Sequence, residues 1–171
     1  MHETAAEVAA LQDLLDRSYA AGGEHLREII TPERRLSAEQ VIERLTGMRL
    51  LSLATSTAAG HPIAGPVDGI FFRGAFHFGT SPQSLRWRHI QARPNVSATY
   101  LPGEELAITV HGRAVQVPTS PEDGAELRQA LRDIYVPRYG EEWMDFIDSG
   151  PVYARIDAER MFTYAAEPAE G

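Results

Sequence analysis

FHFGTSPQSLRWRHIQARP, residues 76–94, is the stretch on which the fold turns. It reads as a short strand running directly into a helix. Phe76 and Phe78 alternate with His77, the period-2 pattern of a strand. Thr80 and Ser81 stand where the helix must begin. Ser81 is the predicted N-cap and Pro82 the first helical residue, because the N–H that proline lacks has no partner there in any case. Arg86 follows one turn later, and the predicted helix, 82–92, stops before Pro94. No Asp or Glu occurs in 74–92, so Arg86 has no local acid to pair with. Such a turn gathers free backbone N–H groups, the positive end of a helix dipole, hydroxyls and a guanidinium. These are the groups a phosphate monoester needs, and the turn is read as holding a cofactor phosphate.

On the N-terminal side, Thr4 and Glu7 form a capping-box pattern for a helix over 3–20, with Val8, Leu11 and Leu15 on one face. Ala-Gly-Gly at 21–23 ends it, and 24–35 reads as a loop or short helical turn. Residues 1–35 are too short to bury a core of their own and are read as a helical extension, an arm across a partner subunit in preference to a lid over a site. A second helix opens at Ser37, with a capping-box partner in Gln40 and apolar residues Ala38, Val41, Ile42, Leu45 and Met48 at helical spacing. The period then changes to that of strands at 50–57, 63–72 and 75–79, joined by turns at 58–62 and Arg73-Gly74. Gly65-Pro66 and Gly69 inside the second strand predict a bulge or a close backbone approach.

Beyond the opening stretch, strands are predicted at 96–101 and 106–117, the latter bent at Gly112. A helix opens at Ser120-Pro121 by the same signature as Ser81-Pro82, with Leu127, Ala130, Leu131 and Ile134 along one face. A short helix at 141–147 and a strand or strand pair at 152–156 and 161–165 follow, then a frayed tail, AEPAEG. Five or six strands joined mostly by short turns predict one antiparallel barrel or curved sheet decorated by helices. Neither GxGxxG nor GxxxxGK[ST] is present, and no GxSxG supports a hydrolase triad.

The chain of 171 residues suits one domain with a proper core. Its net charge of −8 makes it a poor general binder of nucleic acid. All 16 basic residues are arginine, a compositional bias rather than a functional choice. The absence of cysteine removes disulfides, thiolate chemistry and Cys-based metal sites. No apolar run approaches membrane-spanning length, and the acidic, amphipathic N-terminus is unlike a signal peptide, so the expected location is cytoplasmic. His77 and His111 lie in strands with no second ligand at metal-binding spacing, and His61 falls in a turn; structural roles are expected. Tyr135 and Tyr139, flanking Pro137, read as packing.

LSLATSTAAGHPIAGPV, then GTSPQSLRWRHIQARPNVSATY, then LAITVHGRAVQV, in that order and spacing, resemble the pyridoxamine 5'-phosphate oxidase-like family of flavin-binding split β-barrels over residues 37–165. The resemblance implies a mostly β fold with flanking helices, a six-stranded antiparallel Greek-key split β-barrel occupying 36–167. It also implies a homodimer with FMN, or alternatively a deazaflavin coenzyme, at the subunit interface, and oxidoreductase activity on a small molecule. Thr80, Ser84 and Arg86 match the family's phosphate contacts, with Ser81 as an additional hydroxyl and Leu85 between them. Ile63, Ala64, Gly65, Pro66 and Val67 match the strand whose backbone lies along the flavin ring. Trp87 and Tyr100 stand as either ring-covering or packing residues, and a longer deazaflavin tail would call on Arg88 or Arg49. The sequence departs from true pyridoxamine phosphate oxidases in lacking an Arg near Ala64, a Lys near Gly69 and the C-terminal Arg–His-type motif. A non-catalytic flavin- or heme-binding protein is the reading from another functional class.

Overall fold

The structure, a computed structural model, describes residues 3–166. In chain order these form α1 (Ala5–Ala20), α2 (Glu24–Ile29), a single 3-10 turn (Pro32–Arg34) and α3 (Ala38–Arg44). The strands β1 (Met48–Ser56), β2 (Pro62–Phe72) and β3 (Ala75–Thr80) come next. Then come α4 (Leu85–Ala92), β4 (Asn95–Tyr100), β5 (Leu106–Val117), α5 (Ala125–Tyr139), α6 (Glu142–Asp148) and β6 (Val152–Ala165). The tail residues 167–171, predicted to fray, and the last residue of the predicted 36–167 domain lie outside the described residues. Among the described residues no helix is long and apolar enough to cross a membrane.

The six strands close into an antiparallel barrel in the order β1-β2-β3-β6-β5-β4. Three consecutive strands form a meander, and the fourth returns to lie beside the first, which is the Greek-key arrangement. Alternate residues point inward: Leu51 and Leu53 from β1, Phe76 and Phe78 from β3, Ile108 and Val110 from β5 and Ile156 from β6 are all buried in one core. A second cluster, including Ile70, Phe72, Leu127, Leu131 and Tyr153, fastens α5 and α6 to the outside of the barrel. The predicted final strand or strand pair is one long strand. The register between β5 and β6 shifts at His111/Gly112, so Gly112 marks the predicted bulge. A Cβ at Gly112 would collide with the Asp157 carbonyl oxygen, so only glycine allows the two backbones to approach this closely.

Both capping boxes form as predicted, Thr4 with Glu7 and Ser37 with Gln40. The apolar face of α1, with Leu11, Leu14, Leu15 and Tyr19, is buried in the core of the chain's own barrel. Two α1 side chains also bond β6 directly: Met161 N–H donates to Ser18 Oγ at 2.9 Å and Thr163 N–H to Tyr19 Oη at 2.8 Å. β6 pairs with β3 only from Val152 to Arg155, so further along α1 supplies the partners that β3 does not.

The predicted start of the central helix is corrected. Its N-cap is Ser84, whose Oγ accepts from Trp87 N–H at 3.0 Å, and not Ser81. Residues 81–84 form a turn closed by Ser84 N–H donating to the Ser81 carbonyl at 3.0 Å. Proline is as well suited to the second position of a β-turn as to the first position of a helix, which is why Ser-Pro misplaced the cap. The same substitution of turn for cap occurs at Ser120-Pro121: Gly124 N–H donates to the Ser120 carbonyl, and α5 begins at Ala125. Within β2 the pairing with β1 is continuous from Pro62 to Ile70, so the predicted bulge is absent and close approach is what the glycines serve.

Ser84→Ala should destabilise the protein by about 1 kcal/mol through loss of the cap, while Ser81→Ala should change stability by less than about half of that; urea denaturation compares them. His77 is buried, and burial pushes its imidazole down to about 4, although the Ala75 carbonyl at 3.1 Å opposes the shift. The folded state therefore keeps His77 neutral at pH values where the unfolded imidazole, titrating near 6.5, has taken up a proton. Stability present above about pH 6.5 should fall by about 3 kcal/mol as the pH approaches 4. In His77→Phe that fraction of the acid sensitivity should disappear, measured by denaturation at about pH 7 and about pH 4.5.

Candidate functional site

The chain passes from β3 to β4 through α4, which packs across the end of β1. Two bonds hold it there: Thr55 Oγ1 lies 3.0 Å from His89 Nδ1, and Arg93 Nε donates to the Ser56 carbonyl at 2.9 Å. The start of α4 faces the edge of β2. Because β3 pairs with β2 only from Gly69 to Phe72, the edge of β2 over 62–68 has no strand neighbour. Arg86 fills part of this gap, with Nη2 donating to the Pro66 carbonyl at 2.8 Å and passing close over Gly65. A residue's N and O point to the same side of a strand, so Pro66 presents no unpaired N–H at this open edge.

The result is a cleft of about 270 Å³ lined by Leu53, Thr55, Ile63, Ala64, Gly65, Ser84, Leu85, Arg86 and His89. Two predicted segments, 63–67 and 80–86, thus meet at one cleft. At its wall, Ser84 Oγ lies 3.0 Å from Thr80 Oγ1 and also caps the helix. Thr80 lines a neighbouring cavity rather than the cleft and reaches it through Ser84. Ser81 does not join the group: its Oγ donates to Gln83 Oε1 at 2.8 Å on the outer side of the turn. Val67 is buried and its side chain belongs to the barrel core, so only its backbone borders the open edge.

No carboxylate lines the cleft, and Arg86 has no ion pair among the described residues. Partial burial lowers the Arg86 guanidinium from its ordinary value, yet the group remains a cation at neutral pH. One of its donors serves Pro66, and no other hydrogen bond of its guanidinium is made among the described residues. Trp87 is buried in the main core and packs there. Tyr100 lies under the Arg49 guanidinium, 5.7 Å from its ring centroid. Arg49 itself donates to the carbonyls of Arg44 and Met48, and Arg88 does not line the cleft. His111 bonds Ser97, and no cluster among the described residues is suited to a metal ion.

Sequence reasoning missed the roles of Leu53, Thr55 and His89. His89 stands three residues after Arg86, so the two share a helix face, and Thr55 alternates with Leu53 along β1. Those spacings were a usable signal for His89. The Thr55–His89 bond joins segments that only the barrel brings together.

Residues 37–164 match the family model described as pyridoxamine 5'-phosphate oxidase. No curated protein matches the chain in sequence. Among solved structures, the chain is similar to a conserved hypothetical protein from Mycobacterium tuberculosis, with 18% identity, a TM-score of 0.66, and 82% of this chain and 95% of that one covered. It is also similar to HutZ, the heme storage protein from Vibrio cholerae, with 18% identity, a TM-score of 0.60, and 77% and 95% covered. A FAD-binding protein from Mesorhizobium loti has 20% identity and a TM-score of 0.59, with 78% and 98% covered. At these identities the structural likeness speaks for the fold alone, and the neighbours with that fold include flavin binders and heme binders. The family model, by contrast, spans most of the sequence, from the start of α3 to near the end of β6: the chain belongs to the pyridoxamine 5'-phosphate oxidase family.

Proposed function

We propose that the protein is a flavin-dependent oxidoreductase that binds FMN in the cleft between the open edge of β2 and the start of α4. One observation carries this reading. Residues 63–65 and 84–86 are far apart in sequence, were each matched to flavin contacts, and line one cleft with an uncompensated guanidinium. A phosphate carrying about −1.5 to −2 charge suits Arg86, the Ser84 hydroxyl, which Thr80 supports from behind by a hydrogen bond, and the N–H groups at the start of α4. When bound, the flavin supplies hydride transfer at its ring system. The chain's own part is to orient the ring along the β2 backbone and to shield it from water; no residue is assigned as an acid or base.

The cleft is smaller than the roughly 300–1,000 Å³ of complete ligand sites. Ile63 and Leu85 at its rim are 43% and 53% exposed, an apolar border suited to a second subunit. Both points support a homodimer that completes the site. With no arginine at position 64 and no lysine at 69, vitamin B6 oxidation is disfavoured, and the substrate is another small molecule. Arg49, offered for a deazaflavin tail, is committed elsewhere, which favours FMN over that coenzyme. One observation favours a heme-binding alternative: His89 lines the cleft with Nδ1 engaged by Thr55 and Nε2 left over.

The visible absorption spectrum of the freshly purified protein separates these readings, since flavin, deazaflavin and heme absorb differently. A flavin spectrum is expected, and a colourless protein that FMN does not reconstitute would exclude the proposal. Arg86→Ala should weaken FMN binding by about 1.5–3 kcal/mol, measured by fluorescence titration, and unchanged affinity would overturn the phosphate assignment.

A further inference from the structure

The turn between β3 and α4 has a second side. Thr80 and Ser81 line a separate cavity of about 190 Å³, across the Thr80–Ser84 hydrogen bond from the cleft. Its other walls are aromatic: Tyr135 from α5, Trp143 and Phe146 from α6, and Tyr153 from β6. Tyr135 and Trp143 stack with centroids 4.4 Å apart and planes within 3°, and Phe146 leans on Trp143 at 6.2 Å. Tyr135 and Tyr153 are buried, whereas Phe146 is 54% exposed and leaves an apolar ring at the mouth.

Asp68, on the outward face of β2, lines the same cavity. Its side chain takes part in no ion pair or hydrogen bond among the described residues, and no arginine lines the cavity. Burial pushes both phenols up, the Asp68 carboxylate adds to this in each and the Arg138 guanidinium opposes it only weakly at Tyr135, so the two hydroxyls stay protonated beside a carboxylate. One lining carboxylate, no lining guanidinium and a wall of aromatic rings, of which Tyr135 is stacked against both Trp143 and Tyr139, are complementary to a cation with an apolar body. An anion is repelled there. The two sides of the turn therefore select opposite charges.

We propose that this cavity binds a small organic cation, a quaternary or alkylammonium group, with Asp68 neutralising its charge and the rings of Tyr135, Trp143 and Tyr153 enclosing its carbon groups. All of these residues belong to one chain, so the inference does not rest on the flavin reading.

The test is calorimetric titration of choline into the full chain, with and without added FMN. The control is dimethylbutanol, in which a quaternary carbon replaces the ammonium nitrogen. Choline should bind saturably in both conditions, and the neutral isostere should bind at least about tenfold more weakly. Asp68→Asn, at an exposed position, should lower choline affinity about tenfold, and Trp143→Leu should lower it at least as far, with circular dichroism checking the fold of each. No saturable choline binding, equal binding of the isostere, or an unchanged affinity in folded Asp68→Asn would overturn the proposal. Choline binding without FMN binding would remove the flavin reading and leave this one standing; FMN binding without choline binding would do the reverse.

Discussion

The barrel can close only if β4 lies beside β1, yet β4 follows β3, which stands two strands away on the other side of β2. The chain must therefore cross one end of the barrel. From β3 to β4 is three inter-strand spacings around the barrel, roughly 14 Å, and a helix of eight residues spans about 12 Å. α4 is thus about as long as the crossing requires. Its first turn lands where β3 has just left β2, and its far end is tied to β1 through Thr55–His89 and Ser56–Arg93. The candidate site is a consequence of this topology: a helix start is delivered to an open strand edge by the connection that closes the barrel.

Two strand edges are left unpaired by the same splitting of the sheet, and they are treated differently. On β6 the edge near Met161 and Thr163 is buried, where an unsatisfied N–H would cost about 1–3 kcal/mol. Ser18 and Tyr19 of α1 satisfy it, so the first helix is part of the barrel wall and none of its residues lines the cleft. On β2 the edge over 62–66 stays largely exposed, and water can serve its polar groups. There Arg86 bonds the carbonyl of Pro66, which lacks an N–H. A sealed seam carries stability; an open one leaves backbone groups and a guanidinium for a ligand.

The sequence was legible where one local pattern has one physical solution. Capping boxes at Thr4 and Ser37, the period-2 strands and the bulge at Gly112 belong to this class. Ser-Pro was misread because helix starts and β-turns both favour it, and only the backbone bond from Ser84 to Ser81 distinguishes them. Arg86 was legible because no acid lies near it in sequence. His89, Thr55 and the burial of Val67 were not read, since each depends on which strand faces α4, a fact set by barrel closure and not by neighbours in the chain. The packing of α1 on its own β6 was hidden for the same reason: an amphipathic face announces that something covers it without saying what.

The net charge of −8 bears on ligand choice less than the local distribution does. Exposed charges farther than about 8 Å away are largely screened at physiological salt. No carboxylate lines the cleft, whereas Asp68, two residues beyond Pro66 on the same outward face of β2, faces the neighbouring cavity. Opposite preferences are thus set by which residues border each side of a single turn. With no basic residue at 64 or 69, a phosphate dianion in the cleft would meet one guanidinium from this chain, which leaves part of its charge to hydroxyls and backbone N–H groups. Neutral donors are the weaker partners for an anion. On the proposed reading, a cleft so lightly charged would hold FMN as much by contact along the β2 edge and by closure from a second subunit as by its phosphate.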